Sequence, residues 1–97
     1  MDSVEFLAHH PYMKVTRVIE DNIQKHREEE HIMKLSTNGI ETTCDTFSLD
    51  EVLDISYRDI SQQLGHLYLH TTKGLYAYVV RVNPHLFILK FRKIKAI

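Results

Sequence analysis

The sequence predicts a mainly β domain closed by one C-terminal helix. Three observations carry that expectation. Residues 66–82 hold two alternating runs around Lys73-Gly74, residues 31–44 hold a second such pair around Asn38-Gly39, and Asn83-Pro84 is followed by apolar residues at helical spacing. Ninety-seven residues make one domain, 1–97, with 1–12 expected as a leader and 84–96 as the helix.

The leader carries Val4, Phe6, Leu7 and Ala8, then His9-His10 before Pro11. Pro11 disfavours helix at His10, and the segment reads either as a short helical turn or as a docking arm. In residues 13–30, Val15, Val18, Ile19 and Ile23 fit a helical stripe, while Met13, Val15 and Ile19 also fit a strand face. Asp21-Asn22 is a turn signal between them and favours two short strands. Lys25 to Glu30 is a charge run expected in a solvated loop or strand edge.

His31, Met33 and Leu35 alternate with Ile32 and Lys34 up to Asn38-Gly39, the strongest short hairpin signal. Ile40 to Cys44 is the return strand, with Ile40, Thr42 and Cys44 on one face and Cys44 expected as a small buried hydrophobe. Phe47 to Leu49 is a short strand and Leu49 to Val52 a bend. Leu53 to Arg58 is the next strand, with Leu53, Ile55 and Tyr57 inward. Asp59 to Gly65 reads as a polar loop. Leu67 and Leu69 share one face of the following strand, opposite His66, Tyr68 and His70. From Leu75 to Val82 both faces are apolar, which places that strand inside a sheet. Asn83 is a favoured N-cap and Pro84 a favoured first helical residue. Phe87, Phe91, Ile94 and Ile97, widened by Leu86 and Ile88, form the stripe, and Lys90, Arg92, Lys93 and Lys95 complement the helix dipole.

Residues 1–63 hold 13 acidic and 6 basic side chains; residues 64–97 hold no acidic and six basic ones. The asymmetry marks either an anionic-partner face or two halves that neutralise each other. The single cysteine forms no internal bridge and fits a reducing cytoplasm. No apolar run reaches the ~18 residues of a membrane span, and no export signal is expected.

The segments HIMKLSTNGIETT at 31–43, FSLDEVLDISY at 47–57 and GHLYLHTTKGLYAYVV at 65–80, with the helix after Asn83-Pro84, resemble the pleckstrin-homology-like (PH-like) superfold, in particular its small bacterial domains. The resemblance implies an antiparallel two-sheet barrel of six or seven short strands capped by the helix. It implies binding of peptides, proteins or lipid head groups, without catalysis. Lipid-binding members use a basic loop between the first two strands; here Lys25-His26-Arg27 runs into Glu28-Glu29-Glu30, which argues against phosphoinositides.

The expected function is a non-enzymatic protein-interaction module, self-associating through a strand edge or a Tyr68/Tyr76/Tyr78 face. The alternative is a nucleic-acid or anionic-surface binder. The candidate binding residues are Lys73, Arg81, Lys90, Arg92 and Lys93, with Tyr68, Tyr76 and Tyr78 as stacking groups. Seven histidines match no structural zinc spacing: His66 and His70 stand ~13 Å apart along one strand face. No metal or cofactor is expected.

Overall fold

The computed structural model describes residues 6–96. Its elements are β1 (Phe6–Glu20), β2 (Ile23–Ser36), β3 (Gly39–Glu41), β4 (Thr46–Ser48), β5 (Val52–Ser61), β6 (Leu64–Thr71), β7 (Gly74–Val80) and α1 (His85–Lys95). The strands form one antiparallel sheet in the order β4-β3-β2-β1-β7-β6-β5. The expected strand count and helix hold. The expected pair of sheets closed as a barrel does not: the sheet is single, with β4 and β5 as its edges.

Those two edges are consecutive in the chain. Laid flat, seven strands would separate them by about 29 Å, six gaps of roughly 4.8 Å. Residues 49–51 alone join them, and such a link reaches at most about 14 Å. The sheet therefore curls until its edges approach. The link is tied on three sides: Leu49 N donates to Asn38 O at 2.9 Å, Thr72 N to Glu51 O at 2.9 Å, and Lys95 Nζ to Leu49 O at 3.0 Å. Phe47 on β4 meets Tyr76 on β7 edge to face, with centroids 4.9 Å apart, so side chains cross the interior of the curl.

Register explains which face is inside. Met33, Leu35, Ile40, Phe47, Ile55, Leu67, Leu69 and Val80 are buried on the concave side. The Leu67/Leu69 face is as the alternation requires. The β2–β3 and β6–β7 turns use one device. Ser36 Oγ accepts from Asn38 N (3.2 Å) and Thr71 Oγ1 from Lys73 N (3.1 Å), while Gly39 and Gly74 take φ of 145° and 134° just past each turn. At Gly39 a Cβ would also strike the Phe47 carbonyl oxygen, so glycine is required there by contact as well.

Several local expectations change. The region 6–12, read as a leader, is the first half of β1; residues 1–5 lie outside the described residues. β1 and β2 have 15 and 14 residues and are not short. A β-bulge between Val52 and Asp54 puts Val52 and Ile55 on the core face and leaves Leu53 60% exposed, so Leu53 does not point inward. The Asp59–Gly65 segment is a hairpin rather than a loop: β5 runs to Ser61 and β6 starts at Leu64. Cys44 is exposed in the β3–β4 connection instead of buried on a strand.

The helix begins one residue later than expected, and Pro84 is its N-cap. Asn83 Oδ1 still accepts from His85 N at 3.0 Å, so the asparagine satisfies one of the first free amides. Phe87, Ile88 and Phe91 are buried against the sheet, and Ile94 packs at their margin. Leu86, placed in the stripe from spacing, is 75% exposed instead; Ile97 lies outside the described residues. His10 on β1 donates from Nε2 to Val82 O at 2.9 Å beneath Phe87, tying the first strand to the helix approach.

Phe91→Ala is expected to cost about 3–5 kcal/mol in urea denaturation, and Leu86→Ala about 0.5 kcal/mol or less. Burial holds the His10 imidazole below its ordinary 6.5, outweighing the raising effect of the Val82 bond, with His9 lowering it further. The unfolded chain takes up a proton that the folded chain resists. That stability is fully present above the unfolded value and falls as pH drops below it. Denaturation at about pH 7.5 and about pH 5.5 should show the loss, and His10→Gln should reduce it.

Candidate functional site

The sheet holds together over only part of the two longest strands. β1 pairs with β7 at Met13↔Val79, and β2 pairs with β3 only from Lys34 to Ser36. Beyond Met13 the two strands continue alone as a ribbon, from Lys14↔Glu29 to Glu20↔Ile23. At ~3.3 Å per residue it projects about 25 Å past the body. The extents of 52 × 36 × 23 Å agree, and the 14.9 Å radius of gyration exceeds the about 12.5 Å of a compact chain this long.

Asp21 and Asn22 close the ribbon with φ of 51° and 63°, the doubly left-handed turn that matches strand twist. Asp and Asn tolerate that region better than other side chains. The strand reading of 13–30 and its turn thus hold.

None of the seven ribbon pairs sets an apolar residue against an apolar one. They are Lys14↔Glu29, Val15↔Glu28, Thr16↔Arg27, Arg17↔His26, Val18↔Lys25, Ile19↔Gln24 and Glu20↔Ile23. Ile19 is 77% exposed, and Val15 and Ile23 are also open to solvent. Glu20–Lys25 at 3.5 Å is a solvated diagonal pair worth little. An isolated two-stranded ribbon is marginal in water, and this one has no hydrophobic face to hold it. Its anchorage lies at the base. Arg81 reaches Glu28 at 2.8 Å, Lys14 Nζ donates to Cys44 Sγ at 3.1 Å, and His31 stacks on Tyr12 while its Nδ1 meets Thr43 Oγ1 at 2.9 Å. Contact with Cys44 raises the Lys14 ammonium above its ordinary value.

The residues singled out from sequence do not converge. Lys73 sits in the β6–β7 turn and pairs with Glu51 at 3.0 Å, which raises the lysine and lowers the carboxylate. Arg81 is taken by Glu28. Arg92 donates to Ile55 O at 3.3 Å and lies 3.6 Å from Asp54. Lys90 and Lys93 form no salt bridge among the described residues, and with Leu86 and Leu89 they line a shallow groove of about 270 Å³ on the outer helix face.

The three tyrosines share no face. Tyr68 is opposite Ala77, whereas Tyr76 is opposite Leu69 and Tyr78 opposite Leu67, so Tyr68 points away from the other two. Tyr76 and Tyr78 belong to the interior, and Tyr78 packs on Tyr12 at 5.1 Å. Burial pushes the Tyr78 phenol up to about 12, with Asp45 adding to the shift.

The histidines are dispersed as well. His66 meets Tyr68 in a partly buried contact, and His70 meets Ser56 Oγ at 2.7 Å in an exposed one. Among the described residues no group of three or more His, Cys, Asp or Glu side chains could hold a metal ion. No described helix is long and apolar enough to cross a membrane. Compared with protein-family models, with curated proteins and with solved structures, the chain matches none.

What sequence reasoning missed is the ribbon, because strand length beyond the sheet is set by where neighbouring strands stop. Ile19→Ser is expected to change stability by about 0.5 kcal/mol or less in urea denaturation, since the side chain has no core contact to lose. Leu35→Ala, on the same hairpin inside the sheet, should cost about 2–5 kcal/mol.

Proposed function

We propose that this chain is a non-enzymatic protein-interaction module whose docking surface is the β1–β2 ribbon. The observation that carries this reading is the ribbon's lack of any apolar cross-strand pair along about 25 Å of projecting strand. Such a ribbon gains its order from a partner that adds a strand or covers a face, and open edges supply main-chain donors and acceptors for that purpose. The body is read as PH-like. One curled antiparallel sheet of seven strands with a helix packed on its core supports that assignment. An exposed, unbridged Cys44 supports a compartment that keeps thiols reduced.

A second reading, an anionic surface, draws on the helix. Its described residues include no acidic side chain, and Leu86 and Leu89 stand exposed beside Lys90 and Lys93. Nucleic acid draws less support than a lipid surface, because the tyrosines offer no common stacking platform. On this reading, binding to anionic vesicles falls steeply with added salt and is lost in K90E/K93E.

The ribbon reading is tested by replacing residues 17–26 with Asn-Gly between Thr16 and Arg27, which are directly opposite and have the same pairing parity as Glu20 and Ile23 at the native turn. In extracts of the producing cells, the full chain should migrate in an assembly larger than its own 11.4 kDa, and the shortened chain as a folded monomer. A full chain that migrates alone, or a shortened chain that keeps its assembly, overturns the reading.

A further inference from the structure

The ribbon has two open edges, and they are not equivalent. On β1, residues Lys14 to Glu20 lie past the last pairing with β7; on β2, Ile23 to Met33 precede the first pairing with β3. The longer β2 edge carries the run Lys25-His26-Arg27-Glu28-Glu29-Glu30. Its three basic-type side chains come first and its three acidic ones last. Read against itself in the antiparallel sense, that order sets opposite charges face to face.

The two-residue turn fixes which groups face outward. Glu20 and Ile23 flank Asp21-Asn22 and bond to each other, and the ladder runs without a shift from there to Ala8↔Leu35. Ile23, Lys25, Arg27, Glu29 and His31 therefore turn their main-chain groups to β1. Gln24, His26, Glu28 and Glu30 turn theirs to the open edge.

We propose that the occupant of this edge is a second copy of the chain, paired antiparallel about a two-fold axis at Arg27; the proposal rests on the reading of the ribbon as the docking surface. In this register Lys25 lies opposite the partner's Glu29, His26 opposite the partner's Glu28, and Gln24 opposite the partner's Glu30. Four narrow pairs, each exchanging two main-chain bonds, give about eight hydrogen bonds across the axis. Arg27 meets its own copy there, the one like-charge contact. A shift that centres the axis on Glu29 would instead oppose Glu28 to the partner's Glu30 and Glu29 to itself. A shift to Glu28 would carry the partner's turn alongside Lys34, where β3 already occupies the edge. Centred on Arg27, the partner's Ile23 lies opposite His31, and the turn ends short of β3. The product is a four-stranded sheet, β1-β2-β2-β1, with the two bodies at opposite ends. It gives each marginal ribbon the neighbouring strands it lacks.

The charges supply a test that a structural role alone would not satisfy. Sedimentation equilibrium of the purified full chain should give a dimer at high micromolar concentration. K25E and E29K, each at an exposed position, should each dissociate at about tenfold lower affinity, because two attractive pairs become repulsive in every dimer. Mixed in equal amounts they should re-form a heterodimer close to wild-type affinity, since both cross-axis pairs are then attractive again. Thermal melting of each variant unchanged from wild type, at concentrations low enough that wild type is also monomeric, verifies folding. A wild type that stays monomeric at millimolar concentration overturns the proposal, as does a mixture that binds no better than its components. A purified monomer whose cell extracts still contain the larger, ribbon-dependent assembly would discard self-pairing while leaving the interaction module in place.

Discussion

The fold depends on a short connection between two strands that are farthest apart in the sheet. Residues 49–51 join edge to edge, and no flat arrangement allows so short a chain to do so. Curling brings β4 over β7 and creates the interior into which Phe47, Tyr76 and Tyr78 project. The hydrogen bonds from the connection to the β2–β3 turn, the β6–β7 turn and the last turn of α1 all gather at that corner. Lys73 and Glu51 add an ion pair beside it. The glycine at 39 belongs to the same corner, since only a residue without Cβ lets the β3 start pass the Phe47 carbonyl.

The hairpins and the helix were legible because their signals are local. Alternation at 66–71, turn chemistry at Asn38-Gly39 and Lys73-Gly74, and the 87/91/94 spacing each reside within a dozen residues. What was not legible depended on distant chain. A bulge at Leu53 turned one strand's pattern over, and no residue type announces a bulge of that kind. Tyr68 and Tyr76 look alike in sequence, but the register of β6 against β7 sends them to opposite faces. The charge run at 25–30 was readable as a solvated strand edge; that the edge stands clear of the body was not. The ion partners of Lys73, Arg81 and Arg92 were equally hidden, because each lies far away in sequence.

Those partners resolve the uneven charge of the chain. Glu28, Glu51 and Asp54 come from the acidic first 63 residues, and Arg81, Lys73 and Arg92 from the basic remainder. All three pairs are partly exposed, so each contributes little to stability alone. Their effect is to consume the basic groups that an anionic ligand would need, leaving Lys90 and Lys93 with the exposed leucines of the outer helix face. Interior and solvent-facing surfaces are thereby segregated. The helix spends Phe87, Ile88 and Phe91 on the sheet, while the ribbon spends nothing on the core.

Because no buried side chain of the ribbon past Met13 fixes its length, its reach is a free variable. Adding two residues to each strand would advance the tip by about 7 Å and keep every side chain on its present face. Adding one would invert the pattern and carry Val15 and Ile19 to the other side. The arm thus behaves as a graduated spacer, adjustable in steps of two without renegotiating the body that carries it.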